Sequence, residues 1–151
     1  MLNGDRKAIV QFKRECRNYF YYVADVKNTL LDIKALDHKM QGVHSLDFER
    51  VKSSAGRKSW KKSKIVTYIE ANNELKRRLK EKEKKIQYVL DTINRMDQPS
   101  YRGIIWKLYV QRKRINDVAE AYGMSRDYLS QQISEEMARL FPAPVENPEK
   151  K

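Results

Sequence analysis

Hydrophobic side chains recur in steps of three and four residues along the first third of the chain. The series comprises Ile9, Phe12, Cys16, Tyr19, Val23, Val26, Leu30, Ile33, Leu36 and Met40. Because 3.6 residues complete one helical turn, this spacing lines the apolar side chains along one face of a helix. The pattern therefore predicts a coiled-coil-like helix from about Asp5 to Met40.

A second apolar seam has the same spacing and predicts a second long helix. Its members are Ile65, Tyr68, Asn72, Leu75, Leu79, Lys82, Ile86, Val89, Ile93 and Met96. Asn72 and Lys82 are polar interruptions, which can select the register of pairing. Matched lengths favour an antiparallel hairpin, but the same seams could equally pair between chains and build a homo-oligomer through the hairpin.

Three interruptions of the apolar period divide the chain. Residues 41–61 contain several glycines and serines and predict a basic loop between the two helices. Asp97-Gln98-Pro99-Ser100 ends the second helix, because proline disfavours helical geometry in the residue before it. We therefore expect a helical hairpin over residues 1–97, a small C-terminal domain over 98–141 and a disordered, proline-rich tail over 142–151.

The composition agrees with helices and points to a polyanionic partner. Only 5 glycines and 4 prolines occur, while 34% of residues are charged, so we expect an all-α protein. The formal net charge of +12 favours nucleic acid, because each neutralised phosphate releases condensed counterions. No apolar run approaches the roughly 18 residues of a membrane span, and the N-terminus lacks the apolar core of a signal peptide. We expect a cytoplasmic protein that does not enter the membrane.

Residues suited to catalysis or metal binding are scattered. Cys16 is the only cysteine and lies on the apolar seam, where it is expected to be a small core residue. His38 and His44 stand apart from any cluster of cysteines or carboxylates. The sequence contains neither a glycine-rich phosphate loop nor a paired acid system, so we expect no enzymatic activity, no cofactor and no metal site.

Residues 115–134 match a helix-turn-helix at the positions that its geometry constrains. Ala119 is small where two helices cross, Gly123 can take the left-handed conformation that ends the first helix, and Ser125 can cap the second. A supporting helix over residues 101–110 would complete a three-helix core. The apolar side chains expected to pack the motif are Val118, Tyr122, Met124, Leu129, Ile133, Met137 and Leu140. The alternative is an ordinary helical hairpin whose polar residues face water.

The polar side chains of this motif and two basic runs are the candidate DNA contacts. Arginine can pair with guanine and glutamine with adenine, whereas lysine and arginine also bind phosphates. On the second motif helix we expect contacts from Ser125, Arg126, Asp127, Tyr128, Ser130, Gln131 and Gln132. The basic runs contribute Arg112, Lys113 and Arg114 ahead of the motif, and Arg57, Lys58, Lys61 and Lys62 in the predicted loop. Either run could instead be a solvated surface.

Three segments together resemble a known family. They are Met96-Asp97-Gln98-Pro99-Ser100-Tyr101-Arg102, Trp106-Lys107-Leu108-Tyr109-Val110 and Val118-Ala119-Glu120-Ala121-Tyr122-Gly123-Met124-Ser125. With the helical N-terminal part, they resemble the small ArpU-like and RinA-like late transcriptional regulators of bacteriophages and prophages. The C-terminal module of that family is similar to sigma factor region four. The resemblance implies an activator that binds DNA upstream of phage genes and acts with host RNA polymerase in the cytoplasm of the bacterial host.

Two other functions are compatible with a helix-turn-helix joined to long helices. A DNA-packaging protein like a phage small terminase subunit joins a helix-turn-helix to helical oligomerisation. A coiled-coil interaction protein would use the long helices to bind a protein partner, and its basic charge would be incidental. The sequence favours the DNA-binding regulator, because the motif positions agree with a helix-turn-helix beyond what amphipathicity requires.

Overall fold

The computed structural model describes residues 3–50 and 55–144, and the side chains of residues 3–42 and 63–144. Within these limits the protein is all-α, as predicted, and its only β-type contact is an isolated bridge between Gly4 and Pro142. The helices are α1 (Arg6–Arg17), α2 (Tyr19–Arg50), α3 (Ala55–Asn94), α4 (Pro99–Ile105), α5 (Ile115–Ala121) and α6 (Arg126–Leu140). A π-helical turn, Trp106–Val110, continues α4.

The first predicted helix is divided into α1 and α2. Asp5 caps the start of α1, because its carboxylate accepts hydrogen bonds from the backbone N–H groups of Lys7 and Ala8. Asn18 ends α1 with a non-helical backbone (φ −93°, ψ 2°), and α2 begins at the next residue. The prediction of one continuous helix is therefore corrected at Asn18.

The buried face of α2 departs from the predicted seam at two positions. Val23 and Leu30 belong to the predicted seam but are 40% and 49% exposed, whereas Tyr22 and Thr29 are buried. Tyr22, Val26, Thr29, Ile33, Leu36 and Met40 form the observed buried face. Their spacing alternates strictly between four and three residues, which is the heptad pattern. The predicted seam is confirmed at Val26, Ile33, Leu36 and Met40. It is wrong at Val23 and Leu30, where the residue one position earlier in the chain is buried instead.

Helices α2 and α3 pair antiparallel within one chain. The Lys82 ammonium lies 3.6 Å from a carboxylate oxygen of Asp25 and 5.2 Å from the ring centre of Tyr22. Farther along, residues 32–39 of α2 and 71–78 of α3 line one groove. The second predicted seam is confirmed, because all ten of its members are buried or partly buried. Its polar member Asn72 has a buried Oδ1 without a hydrogen-bond partner.

The predicted basic loop at 41–61 is largely helical. Helix α2 continues to Arg50 and α3 begins at Ala55, while residues 51–54 lie outside the described part of the chain. Glycine and serine cost at most about 1 kcal/mol each in a helix relative to alanine. Extension of an existing helix needs no new nucleus, so such residues can be absorbed.

The chain divides into two compact units, and not at the boundary predicted near residue 98. One unit comprises Met1–Tyr21 and Lys85–Lys151, and the other comprises Tyr22–Lys84. The first unit therefore joins the N-terminal helix to the C-terminal domain, two segments that the sequence analysis assigned to different domains.

The first unit has a core built from five helical segments, whereas the sequence predicted three. Phe12 and Cys16 of α1 and Val89, Ile93 and Met96 of the α3 end are buried with the helix-turn-helix residues. Their side chains pack with Ile104, Ile105, Val110, Val118, Ala119, Leu129, Ile133, Met137 and Leu140. Such burial of apolar surface is the main stabilising contribution to folding. The supporting helix predicted over residues 101–110 is confirmed as α4 and the π-helical turn.

The start of the predicted tail is ordered against the N-terminus. The Asp5 N–H donates to the Phe141 carbonyl at 2.7 Å, and the Ala143 N–H donates to the Asn3 carbonyl at 2.8 Å. The disorder predicted from residue 142 therefore does not hold for residues 142–144. These backbone bonds were not foreseeable because proline content says nothing about a distant pairing partner. Residues 145–151 lie outside the described part.

Helix α4 begins with a proline. Pro99 occupies the first helical position, where its missing N–H costs nothing, and Gln98 is the N-cap residue. In the portions that the structure describes, no helix combines the length and apolar character needed to cross a membrane.

Candidate nucleic-acid interface

The turn between α5 and α6 has the backbone geometry expected of a helix-turn-helix. Gly123 takes a left-handed conformation with φ +66°, which side chains disfavour. The Met124 N–H donates to the Ala119 carbonyl at 2.9 Å and so ends α5. The Ser125 hydroxyl oxygen then accepts from the Tyr128 N–H at 3.2 Å and caps α6. Both predicted turn residues therefore have the conformations assigned to them.

The two motif helices are held by the predicted apolar contacts. Val118 and Ala119 of α5 are buried, as are Leu129 and Ile133 of α6. The small side chain of Ala119 permits this close crossing. Met137 and Leu140 extend the same buried face, and Tyr122 and Met124 pack against it. The apolar assignments of the sequence analysis are confirmed.

The first turns of α6 expose a set of polar side chains. Exposed residues are Ser125, Arg126, Asp127, Tyr128, Ser130 and Gln131. Asp127 and Gln131 are separated by four residues and therefore share one helix face. The two charges at the start of α6, on Arg126 and Asp127, are opposite, so this stretch does not form a uniformly positive surface.

Gln132, the remaining predicted contact on α6, is held by α4. The Tyr101 hydroxyl donates a hydrogen bond to Oε1 of Gln132 at 2.7 Å. Burial, followed by the electrostatic influence of Tyr128, raises the pKa of Tyr101, so its phenol remains a donor at neutral pH. The Gln132 side chain is partly buried, and its carbonyl is already engaged. The Gln132 side chain is therefore held in place by α4, and its expected contact with adenine stays a prediction.

The second half of α6 is covered by protein. Glu136 is buried, and its carboxylate accepts from Arg139, whose Nε lies 3.2 Å away. Ala138 is only 5% exposed because the N-terminal segment lies against it. A Cβ atom on Gly4 would lie 3.2 Å from the Ala138 Cα and 2.7 Å from Ile9 Cδ1. The absence of a side chain at Gly4 thus allows the close approach of the N-terminal segment to α6.

Of the three basic residues before α5, one is hydrogen-bonded to α1 and the other two are exposed. Arg112 has a left-handed backbone with φ 56°, an unfavourable conformation for a residue with a Cβ. Its guanidinium donates at 3.0 Å to the carbonyl of Arg17, the last residue of α1, where helix carbonyls lack partners. Lys113 and Arg114 are exposed. Arg112 therefore caps α1, and the pair Lys113 and Arg114 remains available for phosphate.

The other basic run lies on α3. Arg57, Lys58, Lys61 and Lys62 are helical residues, and their side chains lie outside the described part of the chain. Their expected role in binding phosphate stays a prediction.

Two side chains near the motif were missed by sequence reasoning. Tyr101 orients Gln132, and Lys13 of α1 lines a groove with Lys113 and Ser130. No local pattern could have indicated either contact, because both join side chains that are distant in sequence.

The thiol of Cys16 is part of the hydrophobic core, as expected. Its thiol is buried, and desolvation followed by the charge of Glu15 raises its pKa to about 12. A thiol in this environment stays protonated and weakly nucleophilic. Across the described side chains, no three histidine, cysteine or acidic residues gather in a position to hold a metal ion.

Comparisons with known proteins find no relative for this chain. A scan against protein-family models, a search of curated proteins and a search of solved structures each return no match.

Proposed function

We propose that this protein binds double-stranded DNA in a sequence-specific manner and regulates transcription. The observation that carries the proposal is the exposed start of α6, which follows a turn built by Gly123 and Ser125. A helix presented in this way can enter the major groove with its first turns against the base edges. Arg126 and Gln131 are exposed there and can each form paired hydrogen bonds with a base.

The charge of the protein supplies the affinity that is independent of sequence. A formal net charge of +12 attracts the phosphate backbone and accelerates encounter with DNA. Lys113 and Arg114 lie directly before the first motif helix, which crosses the backbone in complexes of this motif. Asp127 and Glu135 oppose phosphate, so backbone contacts are expected at the flanks of α6 and not along its outer face.

The biological setting of the proposal rests on the sequence resemblance. A phage or prophage activator would bind upstream of phage genes in the cytoplasm of the bacterial host and act with host RNA polymerase. This setting requires no catalytic group, cofactor or metal.

The proposal is tested by selecting fragments of the encoding genome that the purified protein retains. Affinity is then measured for the selected site and for a scrambled duplex at one fixed salt concentration. Arg126→Ala and Gln131→Ala should each cost about 1–3 kcal/mol on the selected site and much less on the scrambled duplex. This loss corresponds to a dissociation constant that is roughly 5- to 150-fold higher.

Two exposed residues outside α6 provide matched controls. Arg78→Ala on α3 and Gln11→Ala on α1 remove the same side chains from other surfaces. These substitutions should leave the ratio of the affinities for the selected and the scrambled duplex unchanged. Equal losses on both duplexes for Arg126→Ala and Gln131→Ala would exclude base reading by α6.

A DNA-packaging recognition protein is the second candidate, and exposed apolar side chains on the long helices favour it. Leu30 and Leu31 of α2 and Val66 and Ile69 of α3 are between 45% and 58% exposed. Such residues can stabilise an oligomer of hairpins by removing apolar surface from water. A ring-shaped oligomer in mass photometry would support packaging over regulation.

A further inference from the structure

A groove of about 340 Å³ lies beside the recognition helix α6, within the first unit. Its walls come from α1, the π-helical turn, the start of α5 and one flank of α6. The polar side chains that line it are Lys13, Lys113, Ser130 and Ser134, and its floor is apolar, with Ile133 and Met137 among its members.

The groove is positively charged. Lys13 and Lys113 are the charged members of its lining in the described part of the chain, and no carboxylate is among them. The Lys13 ammonium lies 5.3 Å from the ring centre of Tyr109, in a cation–π contact. Burial, followed by the influence of Cys16, raises the pKa of Tyr109 to about 12. The phenol therefore stays neutral and does not cancel the lysine charge.

The groove is adjacent to the surface that would read bases. Ser130 and Ser134 are four residues apart and share one flank of α6, next to Gln131 on the outer face. When a recognition helix occupies the major groove, the phosphate backbones run along its two flanks. A strand that follows this flank would meet two hydroxyl groups and two ammonium groups.

The position of α1 is fixed at both ends. At its start, the Asp5 N–H donates to the Phe141 carbonyl, and at its end Arg112 donates to the Arg17 carbonyl. Lys13 is therefore carried by an anchored helix, and little conformational entropy is lost in bringing α1 to a bound phosphate.

We propose that this groove binds a backbone phosphate of DNA and that α1 forms part of the interface through Lys13. The inference rests on the proposed DNA-binding function. Lysine and serine are common phosphate contacts, and such contacts set the position of a protein on the duplex without reading its sequence. Lys113, Ser130 and Ser134 complete the phosphate site.

The test compares Lys13→Gln and Lys113→Gln with the wild-type protein on selected and scrambled duplexes between 50 and 200 mM salt. The logarithm of the affinity falls linearly with the logarithm of the salt concentration. Loss of one phosphate contact makes this line less steep, by about 0.9 in slope. The ratio of affinities at the two salt concentrations should therefore fall about 3.5-fold for each variant. Both duplexes should be affected equally, because the contact carries no sequence information.

Matched variants separate the groove from general charge and from folding. Lys7→Gln removes the same charge from another exposed position on α1 and should leave the slope close to the wild-type value. Lys13→Arg keeps the charge and should retain the slope. An unchanged salt slope for Lys13→Gln and Lys113→Gln would overturn the inference about the groove. If Arg126→Ala still lost affinity for the selected site and not for the scrambled duplex, the proposed function would be retained.

A second arm distinguishes the backbone from a free phosphate group. Inorganic phosphate is titrated into the wild-type and Lys13→Gln proteins and followed by NMR shifts of the groove residues. Saturable binding that requires Lys13, with no change in the duplex slope, would assign the groove to a small anion and overturn the DNA assignment. A wild-type protein that binds no duplex at low salt would overturn both proposals.

Discussion

The Tyr101 hydroxyl donates a hydrogen bond to Oε1 of Gln132 at 2.7 Å and thereby joins α4 to α6. The two residues are 31 positions apart in the chain. One lone pair of the Gln132 carbonyl oxygen is thereby engaged, and its second lone pair and the two amide N–H donors remain for other partners. The bond therefore limits the contacts that Gln132 can make.

Removal of this bond should destabilise the protein. Tyr101→Phe leaves a partly buried carbonyl without its donor and should lower the free energy of unfolding by about 0.5–1.5 kcal/mol. Tyr128→Phe deletes the same hydroxyl from an exposed position on α6 and should have little effect. Chemical denaturation of Tyr101→Phe, Gln132→Ala and the double variant measures the coupling. Strictly additive losses would show that the two side chains do not interact.

The turn of the helix-turn-helix should depend on the conformation of one glycine. Gly123→Ala places a Cβ on a backbone with φ +66° and should destabilise the protein by about 1–2 kcal/mol. Gly42→Ala is the matched control, since Gly42 lies in α2 with open space around it. That substitution should stabilise by about 0.5–1 kcal/mol, because glycine is a poor helix former. Destabilisation of equal size at both positions would contradict the assigned role of Gly123.

The buried thiol of Cys16 should make stability fall at alkaline pH. The pKa of this thiol is raised from 9.0 to about 12 by burial and then by Glu15. The unfolded thiol loses its proton near pH 9 and the folded thiol near pH 12. Its contribution is therefore complete below pH 9 and is lost as the pH rises toward 12.

Thermal melts of wild type and Cys16→Ala measure this dependence. The decrease in Tm between pH 8 and about pH 10.5 should be smaller for Cys16→Ala than for the wild type, because alanine does not titrate. Each decrease is taken relative to the Tm of the same protein at pH 8, which removes the loss of stability caused by the smaller core side chain. Parallel decreases in the two proteins would contradict a buried, neutral Cys16.

The basic residues of α3 should bind phosphate without reading sequence. Simultaneous replacement of Arg57, Lys58, Lys61 and Lys62 by glutamine should weaken binding to all duplexes. The salt slope should fall by about 0.9 for each contact that is lost. Glutamine at the exposed Lys34, Lys76, Lys80 and Lys84 removes four charges from elsewhere on α2 and α3. If both quadruple variants alter the slope equally, the effect comes from general charge and not from a defined contact.

Prediction of the apolar seams was correct along α3 and was wrong at two positions in α2. The second seam was located correctly from Ile65 to Ile93, because one unbroken helix carries these residues, and its last member Met96 is buried just beyond the end of α3. In α2 the buried positions are Tyr22 and Thr29 in place of Val23 and Leu30. A regular heptad spacing places Tyr22 and Thr29 on the buried face, whereas the prediction chose the more apolar residue next to each of them.

The sequence by itself determined the features that depend on neighbouring residues. It specified the all-α class, the φ +66° turn at Gly123 and the cap at Ser125, because periodicity, backbone freedom and capping act within a few residues. Only the tertiary structure decided that Arg112 caps α1 across 95 residues, that Tyr101 holds Gln132 and that Lys13 shares a groove with Ser130. These contacts require the relative placement of whole helices. That placement is set by the packing of the common core around Phe12, Met96 and Leu129, and no local pattern encodes it.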